Sequence, residues 1–302
     1  MGTETETYYG LSSAVAFRAN HKLKERNKAD ADEAVGTLLT TANVKYENDF
    51  FTATLGRQEL ELEWLEDFHQ AFVLESSMEN RALTIAYSQK IADADDDEVS
   101  VFEEIGEKGA FVVDVKDNYF KGIELNLYYM TLPQLFDGLG LKVAFDNDDY
   151  GMTIHYAQSN EKERIDGTIL NLEARARFGN FKLSYGLIQT DKHGGVGSLD
   201  ELGDHINPLE DGEYEINSVY EKNADTEYSV LAYEQDDWLL SVMFRSTEYD
   251  HDEVKKEEQE LDFLLEYRIA ENIESELLYA KIFANNRANN QDKVMFLLKY
   301  EI

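Results

Sequence analysis

The chain ends on Lys293-Val294-Met295-Phe296-Leu297-Leu298-Lys299-Tyr300-Glu301-Ile302, and this stretch alternates in character. Successive side chains of an extended chain point to opposite faces. Val294, Phe296, Leu298, Tyr300 and Ile302 therefore share one face, while Lys293, Lys299 and Glu301 lie on the other. The same alternation recurs in segments of about ten residues along the whole sequence. Leu38, Thr40, Ala42, Val44 and Tyr46 mark one segment. Ile123, Leu125, Leu127 and Tyr129 mark another, and Leu170, Leu172, Ala174, Ala176 and Phe178 a third. Trp238, Leu240, Val242 and Phe244 repeat it, as do Leu261, Phe263, Leu265, Tyr267 and Ile269. With weaker segments near Phe72 and Val230, the pattern predicts about 16 strands, within a range of about 16–18.

The opposite face of these strands is polar. It carries Glu124, Asn126, Lys142, His155, Glu173, Arg175, Arg177, Arg245, Asp262, Glu266 and Arg268. Apolar-out and polar-in is the pattern of a transmembrane barrel. A soluble sandwich has the same period with its apolar face inward, so period alone leaves both open. The connections bear on the choice, because they alternate in length. Short ones fall at Asn147-Asp148-Asp149, Gly179-Asn180, Gln235-Asp236-Asp237 and Ala270-Glu271-Asn272. Long ones cover 19–34, 59–70, 92–109, 159–166, 191–225, 249–257 and 284–291. Short turns on a periplasmic rim and long loops on an extracellular rim are how outer-membrane barrels are built. This placement predicts both termini on the short-turn rim. No helical period and no linker appears, so residues 1–302 read as a single domain.

Charge narrows the partners. The chain has 62 acidic and 28 basic residues, a net charge of −34. Such a surface repels nucleic acid, whose binding needs Lys and Arg to displace counterions, and it attracts cations. There is no Cys, hence neither a disulfide framework nor a thiolate nucleophile. No apolar run approaches the ~18 residues of a membrane helix, and Met1-Gly2-Thr3-Glu4 has no apolar signal core. Eighteen Tyr and sixteen Phe at strand spacing argue against a disordered polyacid. The six His residues are scattered, without metal-ligand spacing, and His155 alone sits inside a strand pattern, on its polar side.

Specific residues then point to a family. Val44 to Leu60, with Gly56-Arg57-Gln58 closing a strand before a loop, resembles the Opr family of outer-membrane porins. That family includes the campylobacter-type major outer-membrane proteins and is related to the OprD channels. Tyr8-Tyr9-Gly10-Leu11-Ser12-Ser13 is similar to its early strand, and Glu274 to Tyr300 to its closing hairpin. Three departures stand out: Glu59 to Glu63 replaces a Thr-Pro pair, no strand material precedes Tyr8, which points to a trimmed N-terminus or to 16 rather than 18 strands, and the chain ends on Ile302 rather than an aromatic residue.

The resemblance implies an all-β, antiparallel transmembrane barrel in the outer membrane of a Gram-negative bacterium. It implies a porin that passes ions and small hydrophilic solutes by passive diffusion, assembled as a homotrimer. Neither an enzyme nor a cofactor is expected. Arg57, Lys142, Glu173, Arg175, Arg177, Arg245, Glu266 and Arg268 are the expected pore-lining set. The acidic run Asp93, Asp95, Asp96, Asp97 and Glu98 is the expected constriction loop, with a solvated external loop and a Ca²⁺ site of non-EF-hand spacing as its other readings. Rings of carboxylates favour cations, so the expected channel is cation-preferring. The alternation assigns Leu125, Leu172, Leu240 and Phe263 to lipid, and Glu124, Arg175, Arg245 and Glu266 to the lumen. On that assignment Leu240→Arg is damaging and Arg245→Leu is tolerated. The alternative from another class is a soluble, acidic all-β binding protein with its apolar faces packed together.

Overall fold

The computed structural model describes residues 2–19, 37–94, 99–203, 217–252, 254–270, 272–284 and 290–300. They form one antiparallel sheet of eighteen strands. In chain order these are β1 (Gly2–Glu4), β2 (Leu11–Arg18), β3 (Leu38–Glu47), β4 (Thr52–Glu59), β5 (Phe68–Met78) and β6 (Arg81–Ala92). Next come β7 (Glu103–Glu104), β8 (Ala110–Asp117), β9 (Ile123–Leu132), β10 (Phe136–Asp146), β11 (Tyr150–Glu161) and β12 (Gly167–Phe178). The series closes with β13 (Phe181–Thr190), β14 (Lys222–Gln235), β15 (Trp238–His251), β16 (Val254–Ala270), β17 (Ile273–Ala284) and β18 (Gln291–Tyr300). One short 3-10 helix spans Asn217–Tyr220. Each long strand pairs with the next in sequence, β8 taking the place beside β6. β7 adds two residues to the edge of β6 beyond the end of β8.

The short turns are encoded locally. The Asn48 side chain accepts hydrogen bonds from the backbone N–H groups of Phe50 and Phe51. Asn147 does the same for Asp149 and Tyr150. An Asx side chain thus stands in for a backbone turn bond. Gly179 and Asp236 adopt positive φ in the two-residue turns that fit strand twist.

The strand faces decide the architecture. Leu55 is 63% exposed, Leu127 51% and Leu240 46%, and Leu172 and Phe263 are exposed beside them. The inward residues of the same strands, such as Tyr128, Met130, Ile169 and Arg245, are fully buried. A sandwich would bury the apolar face. Here that face is the outer surface and the polar face is inside, which is stable only with hydrocarbon as the outer solvent. The soluble alternative is excluded on this ground. Tyr9, Phe50, Tyr119, Tyr150, Phe178 and Trp238 are exposed beside the short turns, where amphipathic rings meet the membrane–water boundary.

Four expectations change in detail. First, sixteen strands are long, and β1 and β7 bring the total to eighteen. Second, β1 runs down the edge of β2 with Gly2 opposite Ala16, so the N-terminal strand starts toward the long-loop rim. Third, stretch 249–257 is mostly strand, because β15 and β16 stay paired to His251 and Val254. Fourth, Leu38 and Thr40 do not share a face with Val44. A register shift opposite Ala16 and Phe17 turns the strand over, so Leu38 and Thr40 are buried while Val44 is exposed.

Candidate functional site: the barrel lumen

Inward positions on β5 to β11 are small where the sequence most needs room: Ala71, Ala86, Ala110, Gly138, Gly140 and Ala157. Two loops fill that room. One is residues 60–67, between β4 and β5; the other comprises residues 191–203 and 217–221 of the connection between β13 and β14. Leu60, Leu62, Trp64 and Leu65 from the first join Val196, Leu199, Leu202, Val219 and Tyr220 from the second in one buried cluster. The inner wall closes it with Val73, Val112, Met130, Phe136, Ile169 and Ile188.

Trp64 is fully buried at the centre. Its indole N–H donates to the Tyr128 hydroxyl at 2.8 Å. That hydroxyl lies 2.7 Å from Nε2 of His155. The Trp64 and Tyr220 rings meet edge to face at 6.0 Å. Beside them the Lys142 ammonium donates to Glu63 at 2.7 Å, and Glu63 lies 3.7 Å from Nδ1 of His155. The loops also touch directly, since the Glu66 N–H donates to the Leu202 carbonyl at 3.3 Å. Tyr128 can lie flat against the wall because its cross-strand partner is Gly140: a Cβ there would stand 2.0 Å from the ring. Tyr228 repeats the arrangement over Gly186 and donates to Glu173 at 2.8 Å.

The second loop has its own polar anchors. Ser218 donates to Glu258 at 2.8 Å and receives Arg245 at 3.2 Å. The Arg245 side chain is wholly buried, 3.1 Å from Glu258 and 3.3 Å from Glu260. Glu161 accepts from the N–H and hydroxyl of Ser198 at 2.8 and 2.9 Å. At the start of the loop the N–H groups of His193 and Gly194 donate to Asp191 at 2.7 and 2.8 Å. These backbone donors, Gly194 first, hold its carboxyl below the usual carboxylate range.

Each expected lining residue can now be placed. Lys142 faces inward and is tied to Glu63. Glu173 and Arg175 pair at 3.2 Å, and Arg175 and Arg177 reach Asp146 at 3.8 and 3.5 Å. This group lies toward the short-turn end of the lumen. Glu266 is half-buried opposite Glu276, and Arg268 is exposed opposite Glu274 near the Asp236–Asp237 turn. Arg245 is inward but sealed against the second loop rather than open to the lumen. The tolerance expected of Arg245→Leu is therefore withdrawn: the change would strand Glu258 and Glu260 without their cation. Arg57 pairs in register with Ala42 and Gln70, lies 4.3 Å over the Phe102 ring, and donates to the Leu39 carbonyl at 3.0 Å.

The loop after β6 is closed at its base by Asp93 and Ser100, whose backbones bond at 2.9 Å. Ala94 and Val99 of this loop pack with Leu38 and Phe68 at the long-loop ends of β3 and β5. Asp95, Asp96, Asp97 and Glu98 lie outside the described residues.

Sequence reasoning missed the inward fold of residues 60–67. A signal was present: Leu60-Glu61-Leu62-Glu63-Trp64-Leu65 is too apolar for a solvated loop. Glycines on inward parity, at 138, 140 and 186, were a second.

Comparison with known proteins fits this geometry. Residues 1–282 match the profile of a family described as "Putative outer membrane protein". OccAB4 of Acinetobacter baumannii is 12% identical, with 96% of this chain aligned to 83% of that one at a TM-score of 0.76. OccK8 (OprE) of Pseudomonas aeruginosa is 9% identical over 96% of this chain and 86% of its own, at 0.77. OpdK, from the same bacterium, is 12% identical over 96% and 87%, at 0.75. No curated protein matches. The solved relatives are OprD/Occ outer-membrane channels rather than enzymes, and at these identities they share the fold. The profile, spanning nearly the whole chain, carries the assignment: the chain belongs to this outer-membrane protein family, and it is a barrel of OprD/Occ architecture residing in the outer membrane.

Proposed function

We propose that the protein is a diffusion channel for ions and small hydrophilic solutes, and that it prefers cations. The observation that carries the reading is a charged inner wall, with Glu173, Arg175, Arg177, Glu266 and Lys142, inside a barrel whose outer belt is apolar. Charges facing water inside a membrane protein have a use in conduction. The excess of 62 acidic over 28 basic residues supports cation preference, because it must lie in the lumen and the external loops. The acidic run Asp93 to Glu98 is proposed as one source of that field. A homotrimer is proposed from the porin resemblance alone, and cross-linking in native membranes tests it.

The deciding experiment is reconstitution in planar bilayers. Expected are discrete conductance steps and, in a KCl gradient, a reversal potential of cation-selective sign. Changing Asp95, Asp96 and Asp97 to Asn should move that potential toward zero. A refolded protein that passes no current, or one selective for anions at low salt, overturns the reading. OpdK has been solved with vanillate, so a small aromatic carboxylate belongs among the solutes tested in liposome swelling.

A further inference from the structure

Loop 60–67 is held in a conformation that its own backbone disfavours. Trp64 has φ of 61° and Asp67 of 72°, both in the left-handed region. For a residue as bulky as Trp this is a true outlier, and it persists only when the surroundings impose it. The loop closes its own turn through the Leu62–Leu65 backbone bonds and meets His69 of the flanking β5 at the Glu66 carbonyl, and its other side-chain anchors are on the far wall. Glu63 reaches Lys142 on β10, and Trp64 reaches Tyr128 on β9 and Tyr220 of the other loop. The Glu63 side chain is 7% exposed, and the Lys142 ammonium that donates to it at 2.7 Å is a cation beside its buried charge.

We propose that residues 60–67 are a strained gate across the lumen and that the Glu63–Lys142 ion pair is its latch. This rests on the channel reading above. With the latch made, the loop lies against β9 to β11 and occludes that side of the lumen. With it broken, Glu63 gains water by moving out, and the backbone at Trp64 and Asp67 relaxes in the same movement. Burial of the charge and backbone strain both favour release, and the ion pair, the indole packing and the burial of Leu60, Leu62 and Leu65 oppose it. An element balanced in this way has two states rather than a continuum.

Single-channel recording on the refolded, full-length protein tests the latch. K142Q and E63Q each remove the pair and should raise the open-to-closed ratio roughly ten-fold or more. The charge-reversed double variant E63K/K142E should return it toward the parent value. K162Q, which removes an external pair with Asp137, should change nothing. Heat-shifted gel mobility reports whether each barrel has folded. A variant with residues 61–66 replaced by a Gly-Ser linker supplies the independent arm. If it conducts more than the parent while folded K142Q and E63Q gate like the parent, the latch is overturned and the channel stands. If E63K/K142E stays as open as K142Q, the latch is overturned as well. If even the linker variant passes no current, the channel reading falls with it.

Discussion

At the scale of the residue, the lumen depends on two glycines. Gly140 and Gly186 sit under the rings of Tyr128 and Tyr228, and a Cβ at either would stand 2.0–2.1 Å from ring atoms. The ring cannot give way cheaply, because the Tyr128 hydroxyl joins Trp64 and His155. Gly140→Val should therefore displace Tyr128 and cost about 1–3 kcal/mol, the usual range for overpacking. Urea unfolding in lipid vesicles, followed by Trp fluorescence, measures it. A stability equal to the parent would show that the ring has somewhere else to go. Gly140 was legible as a residue on the inward face; that it faces a tyrosine became visible only once the register paired β9 with β10.

At the scale of the element, strand alternation was read correctly for most of the chain, and the reason is physical. A side-chain period of two cannot slip without turning a whole apolar face inward. Leu125, Leu172, Leu240 and Phe263 do face outward, and Glu124, Arg175, Arg245 and Glu266 do face inward. What alternation could not supply is the bulge that turns β3 over at Thr40, since that depends on its pairing with β2. Nor could it say what an inward side chain touches, and Arg245 shows why this matters. Leu240 is the first outward position after Trp238, which stands at the short-turn boundary. Leu240→Arg should thus place a charge on the lipid face between that boundary and the midplane and cost ~1–3 kcal/mol, between the interfacial and midplane values. Arg245→Leu should cost about 3–5 kcal/mol, because it leaves buried Glu260 and half-buried Glu258 without their cation. Both variants should fold in lower yield than the parent in vesicles. Full yield for Arg245→Leu would mean that water or a proton already neutralises those carboxylates.

At the scale of the whole molecule, charge and shape act together. Salt separates the possible sources of selectivity, because exposed charges are screened beyond a Debye length of ~30 Å at 0.01 M and ~3 Å at 1 M. Cation preference should be strong in dilute KCl. If it arises from carboxylates at the loop rim it should fade at ~1 M, and if it arises within the walled lumen it should persist. Reversal potentials across that series decide between them. The sequence by itself determined the strands and the two unlike faces of each, because both follow from a period carried along the chain; which face is outside was decided by the closed sheet, where the apolar residues are the exposed ones. The sequence also determined the short turns, as Asn48, Asn147 and Gly179 act on residues within three positions of themselves. Tertiary structure alone decided how the lumen is filled. Residues 60–67, 191–203 and 217–221 follow no period, and their partners at Tyr128, Lys142, His155 and Glu258 lie forty or more residues away. Such contacts form only where barrel curvature brings distant strands opposite one another, and no local pattern records that distance.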